Sequence, residues 1–364
     1  MSFNKIKKKL GFGCMRLKTV DGQVDYDEFN RMIDAFMEAG FNYFDTAHGY
    51  IDGKSETAIR DCLATRYPRE AFVLANKLSA WCFKEEKDIV PLFESQLALC
   101  GVEFFDFYLF HALNRDSYQK HKECHSFEIV KKLKEQGKIR HIGLSFHDTA
   151  EVLDSILSEQ PDVEVVQLQI NYLDYDDPGV QSKACYDVAV KHGKKVIVME
   201  PVKGGALVNL PDKAAAVLDG LHGGSYASYA LRYAASFPEV MMVLSGMGTM
   251  AMMEDNIGSF AVFTPLNEQE REATDRVRAI IREVRQIPCT GCNYCADVCP
   301  QGIPISVIFK EYNRYLAAKI TFHEAKEAFP AGVGAGDCVG CGECSKVCPQ
   351  SIDIKGLLEK IANQ

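Results

Sequence analysis

Eight short apolar segments, separated by amphipathic stretches, run from the N-terminus to about residue 265. Nearly continuous apolar character is typical of strands that are buried on both faces of a parallel sheet. Eight strands alternating with helices over roughly 250 residues predict a (β/α)8 TIM barrel, with a doubly wound open sheet as the alternative. The predicted strands are LGFGCMRL (10–17), FNYFDT (41–46), FVLANKL (72–78), FDFYLFHAL (105–113), IRHIGLSF (139–146), VVQLQI (165–170), KVIVMEPV (195–202) and VMMVLSGM (240–247).

The stretches between these segments have helical periodicity. In YDEFNRMIDAFMEAG the apolar residues fall on one helical face, and the pattern stops at Gly40, a residue typical of helix ends. The face consists of Phe29, Met32, Ile33, Phe36 and Met37. Residues 266–288 are highly charged and predict a helix that links two units. We therefore predict a barrel over 1–265, a linking helix over 266–288 and a small α-helical domain over 289–364.

Two cysteine strings dominate the C-terminal part: CTGCNYCADVCP at 289–300, the first string, and CVGCGECSKVCP at 338–349, the second string. Both have the form C-x2-C-x2-C-x3-C-P, the spacing of bacterial proteins that hold two iron–sulfur clusters. In that pattern three cysteines ligate one cluster and the fourth ligates the other. The spacing predicts two [4Fe–4S] clusters, one on Cys289, Cys292, Cys295 and Cys348, and the other on Cys338, Cys341, Cys344 and Cys299.

A pair of structural zinc sites is the alternative for these cysteines. Zinc ribbons usually take paired CxxC motifs that lie well apart in the chain, whereas each string here holds four cysteines in one run. The strings also agree outside the cysteines, for example at Pro300 and Pro349 and at Gln301 and Gln350. The helical insert between them resembles the α-helical type of ferredoxin more than the compact, strand-rich type.

Composition excludes several classes of protein. The net charge of −9 and the lack of a basic stripe argue against a nucleic-acid partner. No apolar run reaches the roughly 18 residues of a membrane-spanning helix, and no signal peptide is recognisable at the N-terminus. The remaining six cysteines are scattered, unlike a secreted disulfide framework, so we expect a reducing, cytoplasmic location.

Four polar residues lie at or just beyond the carboxyl ends of predicted strands, where barrel enzymes place their catalytic groups. FDTAHGY supplies Asp45 and Tyr50, LANKL supplies Lys77, and YLFHAL supplies His111. Taken singly, each has an ordinary structural explanation: a turn cap, a loop aromatic, a strand-end lysine and a core histidine. Their occurrence together on adjacent strand ends favours a catalytic site.

The chemistry of carbonyl reduction accounts for this set. Hydride addition needs a proton donor near the developing alkoxide, and a free tyrosine with a pKa of about 10 is a poor acid at neutral pH. A lysine ammonium beside the tyrosine lowers that pKa, and a carboxylate holds the lysine in place. A histidine can hydrogen-bond the carbonyl oxygen and orient it.

LGFGCMRL, FDTAHGY, ANK and FH together resemble the aldo-keto reductase superfamily, over residues 1–265. The whole chain resembles its iron–sulfur branch, in which the barrel is fused to a ferredoxin module. The resemblance implies an NAD(P)H-dependent enzyme that reduces an aldehyde, ketone or quinone-like substrate. Tyr50 would be the general acid/base, Lys77 the residue that tunes it, Asp45 the partner of the lysine, and His111 the group that orients the substrate.

The resemblance also implies where NADP(H) or NAD(H) binds, extended across the barrel mouth without a Rossmann fingerprint. Phe146 stands where the family has an asparagine, and Met199 where an aromatic stacks on the nicotinamide. The Lys and Arg that commonly clamp the 2′-phosphate are replaced by Gly246 and Met252, which leaves the choice between NADPH and NADH open. The implied contacts are Cys14, Met15, Ser145, Gln167, Met199, Lys203, Gly204, Gly246, Thr249, Asp255 and Asn256.

Three functions are compatible with a chain that joins a reductase barrel to a ferredoxin module. A hydride carries two electrons and each cluster one, and no flavin signature converts between them. The first is a reductase whose clusters relay electrons to or from a redox partner protein or an external flavin. The second is a reductase whose clusters are structural or redox-sensing. The third is a non-catalytic electron-transfer or regulatory binding module.

Overall fold

A computed structural model describes residues 3–284 and 286–364, and in it eight parallel strands close into a barrel. Each predicted segment contributes one strand, which confirms the (β/α)8 barrel and excludes the open sheet. A short antiparallel pair, β2 and β3, lies outside the barrel. The strands are β1 Leu10–Gly13, β2 Thr19–Val20, β3 Gln23–Val24, β4 Tyr43–Asp45, β5 Val73–Ser79, β6 Phe105–Leu113, β7 Ile139–Phe146, β8 Val165–Gln169, β9 Lys195–Met199 and β10 Val240–Ser245.

Helices alternate with the barrel strands. The first begins after Asp25, whose side chain caps it by accepting from the Glu28 amide, and its buried face matches the predicted one except that Met37 is only half-buried. These helices are α1 Tyr26–Glu38, α2 Lys54–Ile59, α3 Glu86–Cys100, α4 Arg115–Glu123, α5 Ser126–Glu135, α6 Ala150–Glu159, α7 Ser182–Lys191, α8 Asp212–Asp219, α9 Tyr226–Ala235 and α10 Met250–Ala261.

The barrel interior is filled by side chains from successive strands. One layer joins Tyr43, Phe107, Val165 and Met242, with the partly buried Phe3 packed against it. Such a filled interior is a core and not a channel, so the polar groups that the strands carry are displayed at the carboxyl ends. The strand register then decides which of these groups meet.

The C-terminal residues form helices around a separate apolar core. The helices are α11 Glu268–Val284, α12 Tyr294–Asp297, α13 Ile305–Leu316, α14 Phe322–Glu327, α15 Glu343–Lys346 and α16 Ile354–Ala362. Ile308, Phe309, Tyr312 and Leu358 are buried in the centre of this core. Five cysteines of the two strings pack against it, namely Cys289, Cys295, Cys299, Cys338 and Cys348.

The compact units of the fold do not follow the order of the chain. The described residues of Met1–Asp176, Gln181–Pro201 and Ala227–Leu266 form the first unit. Asp177–Val180, Val202–Tyr226 and Asn267–Gln364 form the second. The segment after strand β9 therefore belongs with the cysteine strings, which periodicity along the chain did not indicate. The limits 1–265, 266–288 and 289–364 stay a prediction.

Candidate active site and cluster-binding module

A buried lysine forms the centre of the barrel site. Lys77 lies in β5 with 1% of its surface exposed. Its Nζ donates to Asp45 Oδ1 at 2.6 Å and to the Thr46 carbonyl at 2.8 Å, and lies 3.2 Å from the Tyr50 hydroxyl. Charged groups this deeply buried need such partners, because desolvation otherwise disfavours the ion. The structure thus brings together three of the four predicted catalytic residues around one ammonium.

His111 lies on β6, next to this centre. Its ring stands 5.8 Å from the Tyr50 ring and 5.0 Å from the ring of Trp81, which is 58% exposed and therefore does not anchor the core. His111 Nδ1 lies 2.7 Å from Ser79 Oγ, because Ser79 and His111 are register partners on β5 and β6. Ser79 was missed from the sequence, although its position two residues after Lys77 puts both on the same face of the strand.

Burial sets the charges of this site. It lowers the pKa of His111 well below the ordinary histidine value, and the Lys77 and His147 charges act in the same direction. It also raises the pKa of Asp45, while the charge of Lys77 and its hydrogen bond oppose that rise. The imidazole is therefore neutral near pH 7 and can donate a hydrogen bond without carrying charge.

Two predicted nicotinamide contacts are neighbours on adjacent strands. Ser145 and Gln167 are register partners on β7 and β8, and both are buried. Ser145 Oγ accepts from the Ala112 amide at 2.9 Å. Within the described residues, Gln167 Oε1 is buried without a hydrogen-bond partner. An unpaired buried acceptor fits a site completed by an amide donor such as the nicotinamide carboxamide.

The remaining predicted contacts divide into buried and exposed groups. Asn256 is buried and donates from Nδ2 to Ser245 Oγ at 2.8 Å, whereas Asp255 is exposed. Thr249 caps α10 through its hydroxyl.

Cys14 is fully buried and its amide donates to the Asp45 carbonyl at 2.8 Å, which ties β1 to the lysine site. Met15 and Met199 are partly buried, and Gly246 is exposed.

Lys203 and Gly204 belong to the second compact unit. Lys203 is buried, and its Nζ donates to Gln350 Oε1 at 3.1 Å. Gln350 follows Cys348 by two residues, so the predicted pyrophosphate lysine contacts the cysteine-bearing part of the chain. A nucleotide role for Lys203 and Gly204 stays a prediction.

The cysteine strings approach each other across the sequence. Burial, followed by the charges of Cys292, Cys289 and Cys348, raises the pKa of the Cys295 thiol to about 12. Cys348 of the second string thus lies near Cys295 of the first, which supports the exchange of fourth ligands between the strings. Among the described residues, none of the cysteines is joined to another in a disulfide bond. Within residues 3–284 and 286–364, no three His, Cys, Asp or Glu side chains converge as they would on a single metal ion.

Comparison with known proteins supports both predicted parts of the chain, the barrel and the iron–sulfur domain. Residues 9–279 match the aldo/keto reductase family, and residues 288–352 match a 4Fe-4S dicluster domain. The chain belongs to the aldo/keto reductase family. It is therefore an NAD(P)H-dependent oxidoreductase, and its C-terminal part is an iron–sulfur domain, as the sequence predicted.

Individual relatives are distant. L-galactose dehydrogenase of Arabidopsis thaliana is 24% identical over 76% of this chain and 92% of its own length. An aldo-keto reductase of Mycolicibacterium smegmatis is 27% identical over 58% of this chain and 72% of its own length.

Solved structures show the same fold. Aldo-keto reductase AKR11C1 of Bacillus halodurans, in its holo form, superposes with a TM-score of 0.62 at 23% identity, covering 74% of this chain and 92% of its own. An aldo/keto reductase of Klebsiella pneumoniae, in complex with NADP and acetate, gives 0.60 at 19% identity, covering 74% of this chain and 91% of its own. Among the described helices, none is long and apolar enough to span a membrane.

Proposed function

We propose that this chain reduces a small carbonyl compound at the barrel site and exchanges single electrons through its cluster domain. The observation that carries the barrel half is the buried contact of Lys77 Nζ with both Asp45 Oδ1 and the Tyr50 hydroxyl, at 2.6 and 3.2 Å. NADPH or NADH, when bound, would supply the hydride, and the Klebsiella pneumoniae structure of the same fold is in complex with NADP. The residues of the chain supply the proton and the geometry.

Tyr50 gives its hydroxyl proton to the carbonyl oxygen as negative charge develops there. The Lys77 ammonium stabilises the phenolate that remains, because opposite charges attract strongly in a buried site. Asp45 fixes the lysine, and neutral His111 donates to the same carbonyl oxygen and orients it. In the oxidative direction the same proton returns to Tyr50.

Nicotinamide binding is assigned to the barrel mouth. We place Ser145 and Gln167 at the carboxamide, since Gln167 Oε1 is a buried acceptor that lacks a partner within the described residues. Met199, Gly246, Thr249, Asp255 and Asn256 are the further contacts we propose, with Cys14 and Met15 at the end of β1. The nucleotide choice follows from titrating the protein with NADH and NADPH separately.

A tyrosine substitution tests the barrel half. Tyr50→Phe is expected to lower turnover about 10²- to 10⁴-fold, the usual contribution of a positioned general acid. Tyr26→Phe is the matched control, because the Tyr26 hydroxyl bonds Asp61 on an exposed surface. Assays should include aldehydes, quinones and, given the Arabidopsis relative, the oxidation of L-galactose. Full activity of Tyr50→Phe would refute the proposed chemistry.

The cluster half is supported by the complete set of eight cysteines and by the approach of Cys348 to Cys295. Protein purified without oxygen should contain about eight irons and eight sulfides per chain. Addition of NADPH or NADH, with and without a free flavin, is then followed at the cluster absorbance and by EPR. Reduction of the clusters in either mixture supports electron exchange. Clusters that stay oxidised with NAD(P)H, flavin and carbonyl substrate all present favour a structural or redox-sensing role.

A further inference from the structure

Gln350 is held in one orientation by a buried lysine. Its Oε1 accepts from Lys203 Nζ at 3.1 Å, and only 8% of Gln350 is exposed. An ammonium has donors and no acceptor, so the amide atom that faces it is the oxygen and the amide nitrogen is directed elsewhere. Lys203 therefore orients the Gln350 side chain so that Nε2 points away from the lysine.

The other end of that amide is a donor without an acceptor. Gln350 Nε2 is buried and has no hydrogen-bond partner within the described part of the chain. Buried donors are normally paired, and an unpaired one often marks the place of a missing group. Gln350 lies two residues beyond Cys348, which approaches Cys295 of the first string. The acceptors nearest to this donor along the chain are the Cys348 thiolate and the sulfur atoms of the cluster it is proposed to bind.

The backbone at Gly204, next to Lys203, lies in close contact with the first string. A Cβ on Gly204 would lie only 2.6 Å from Thr290 Cα, and Gly204 has a φ of +60°. Thr290 adjoins Cys289. Lys203 and its neighbour thus contact residues one and two positions from two ligands, Cys289 and Cys348, of the same proposed cluster. This close approach leaves no room for a side chain at position 204.

We propose that Lys203 and Gln350 form a donor pair that raises the reduction potential of the cluster on Cys289, Cys292, Cys295 and Cys348. This inference rests on the proposed cluster ligands. Reduction adds one negative charge to a cluster, and both an N–H donor to its sulfur and a nearby ammonium stabilise that charge. The residue predicted to bind pyrophosphate is thereby assigned to the iron–sulfur domain.

The repeat supplies an internal comparison. Gln301 occupies the position in the first string that Gln350 occupies in the second, two residues beyond Cys299. Gln301 is exposed, whereas Gln350 is buried against Lys203. An exposed amide exchanges its hydrogen bonds with water and stabilises neighbouring charge weakly. The donor pair therefore serves one cluster, and the two clusters are expected to differ in potential.

EPR-monitored redox titration of the full chain, loaded with clusters under anaerobic conditions, tests the pair. Gln350→Met and Lys203→Met remove the donor and the charge at nearly constant side-chain length. Each should shift one cluster midpoint to more negative potential and leave the other midpoint unchanged. Lys203→Arg, which keeps charge and donors, should retain the wild-type midpoint. Gln301→Met, the matched control, should move neither midpoint.

Other results would overturn the inference. Unchanged midpoints in both Gln350→Met and Lys203→Met would do so, as would equal shifts of both clusters. If Lys203→Met weakens NADPH binding and moves no midpoint, the lysine serves the pyrophosphate instead. Should Gln350→Met fail to retain iron, Lys203→Met decides the matter, because it lies outside both strings. A wild-type protein without two clusters would instead refute the cluster assignment itself.

Discussion

Ser79 Oγ lies 2.7 Å from His111 Nδ1, and the two residues are paired across strands β5 and β6. Because burial keeps the pKa of His111 well below its ordinary value, the ring is neutral and carries a single N–H. When the Ser79 hydroxyl donates to Nδ1, that N–H stands on Nε2. With the hydrogen bond in that direction, Ser79 selects the tautomer of His111 that can donate to a substrate.

Ser79→Ala is expected to lower kcat about 10-fold, since a buried hydrogen bond contributes about 1 to 1.5 kcal/mol. The KM for the nicotinamide should not change, because Ser79 contacts the histidine and not the proposed carboxamide site. Steady-state kinetics give both values. Ser95→Ala on the exposed surface of α3 is the control. An unaltered kcat for Ser79→Ala would show that the tautomer is set by another group.

The Asp45–Lys77 pair is expected to stabilise the fold as well as the site. Asp45→Asn leaves a buried ammonium without its counter-charge, which typically costs about 3–5 kcal/mol. The free energy of unfolding, measured by urea titration, should fall by that order. Asp25→Asn breaks the exposed Lys18–Asp25 pair, which is 2.8 Å long, and should cost far less stability, because water screens exposed charges. Equal losses for the two variants would contradict the assigned role of burial.

Gln167 and Gln96 are expected to respond oppositely to substitution. Gln96 is fully buried and bonded to Lys77 and Tyr108, so Gln96→Met should destabilise the protein by about 1–3 kcal/mol. Gln167→Met removes an acceptor that has no partner in the described residues, and should leave the stability unchanged or higher. It should weaken nicotinamide binding about 10-fold, measured by fluorescence titration. Unchanged binding would remove Gln167 from the carboxamide site.

Buried histidines predict a loss of stability in acid. His121 is fully buried among aromatic rings, and burial lowers its pKa to about 3. The unfolded chain, with a pKa of about 6.5, takes up this proton first, so stability falls as the pH drops from 6.5 towards 3 and is unaffected above 6.5. At pH 5 this residue should account for about 2 kcal/mol.

His121→Phe should remove part of that acid loss, with the remainder due to other buried histidines such as His147, whose pKa burial lowers to about 4. Urea unfolding at pH 7.5 and pH 5 measures the difference. The exposed His323 provides the control, since His323→Phe should leave the pH dependence unchanged. If the two variants lose equal stability between these pH values, the burial of His121 does not govern the response.

The exchange of ligands between the strings is tested by counting irons in double variants. Cys295→Ser combined with Cys348→Ser should lose one cluster, leaving about four irons per chain, because both serve the same cluster. Cys295→Ser combined with Cys299→Ser, two positions of a single string, should lose both clusters. Iron and sulfide analysis after anaerobic purification distinguishes these results. Loss of both clusters in the first pair would contradict the exchange.

Much of the fold follows from local pattern. The continuous apolar character of segments such as FDFYLFHAL is required by a strand buried on both faces, so all eight barrel strands are evident along the chain. The same holds for α1, whose buried face repeats with helical period. The cysteine spacing indicates the clusters because the run C-x2-C-x2-C-x3-C-P, characteristic of two-cluster proteins, occurs twice in the chain.

The residues that complete each site depended on contacts between distant parts of the chain. Ser79 meets His111 because the register between β5 and β6 pairs them, and register is set by packing of whole strands. Lys203 follows a barrel strand in sequence and was assigned to a nucleotide on that ground, yet the fold buries it against Gln350. The sequence determined the barrel and the presence of an iron–sulfur domain, and it predicted the four catalytic candidates and the cluster ligands, since each depends on local periodicity or spacing. Only the tertiary structure decided which buried polar groups are paired, because pairing is a property of side chains that approach in space.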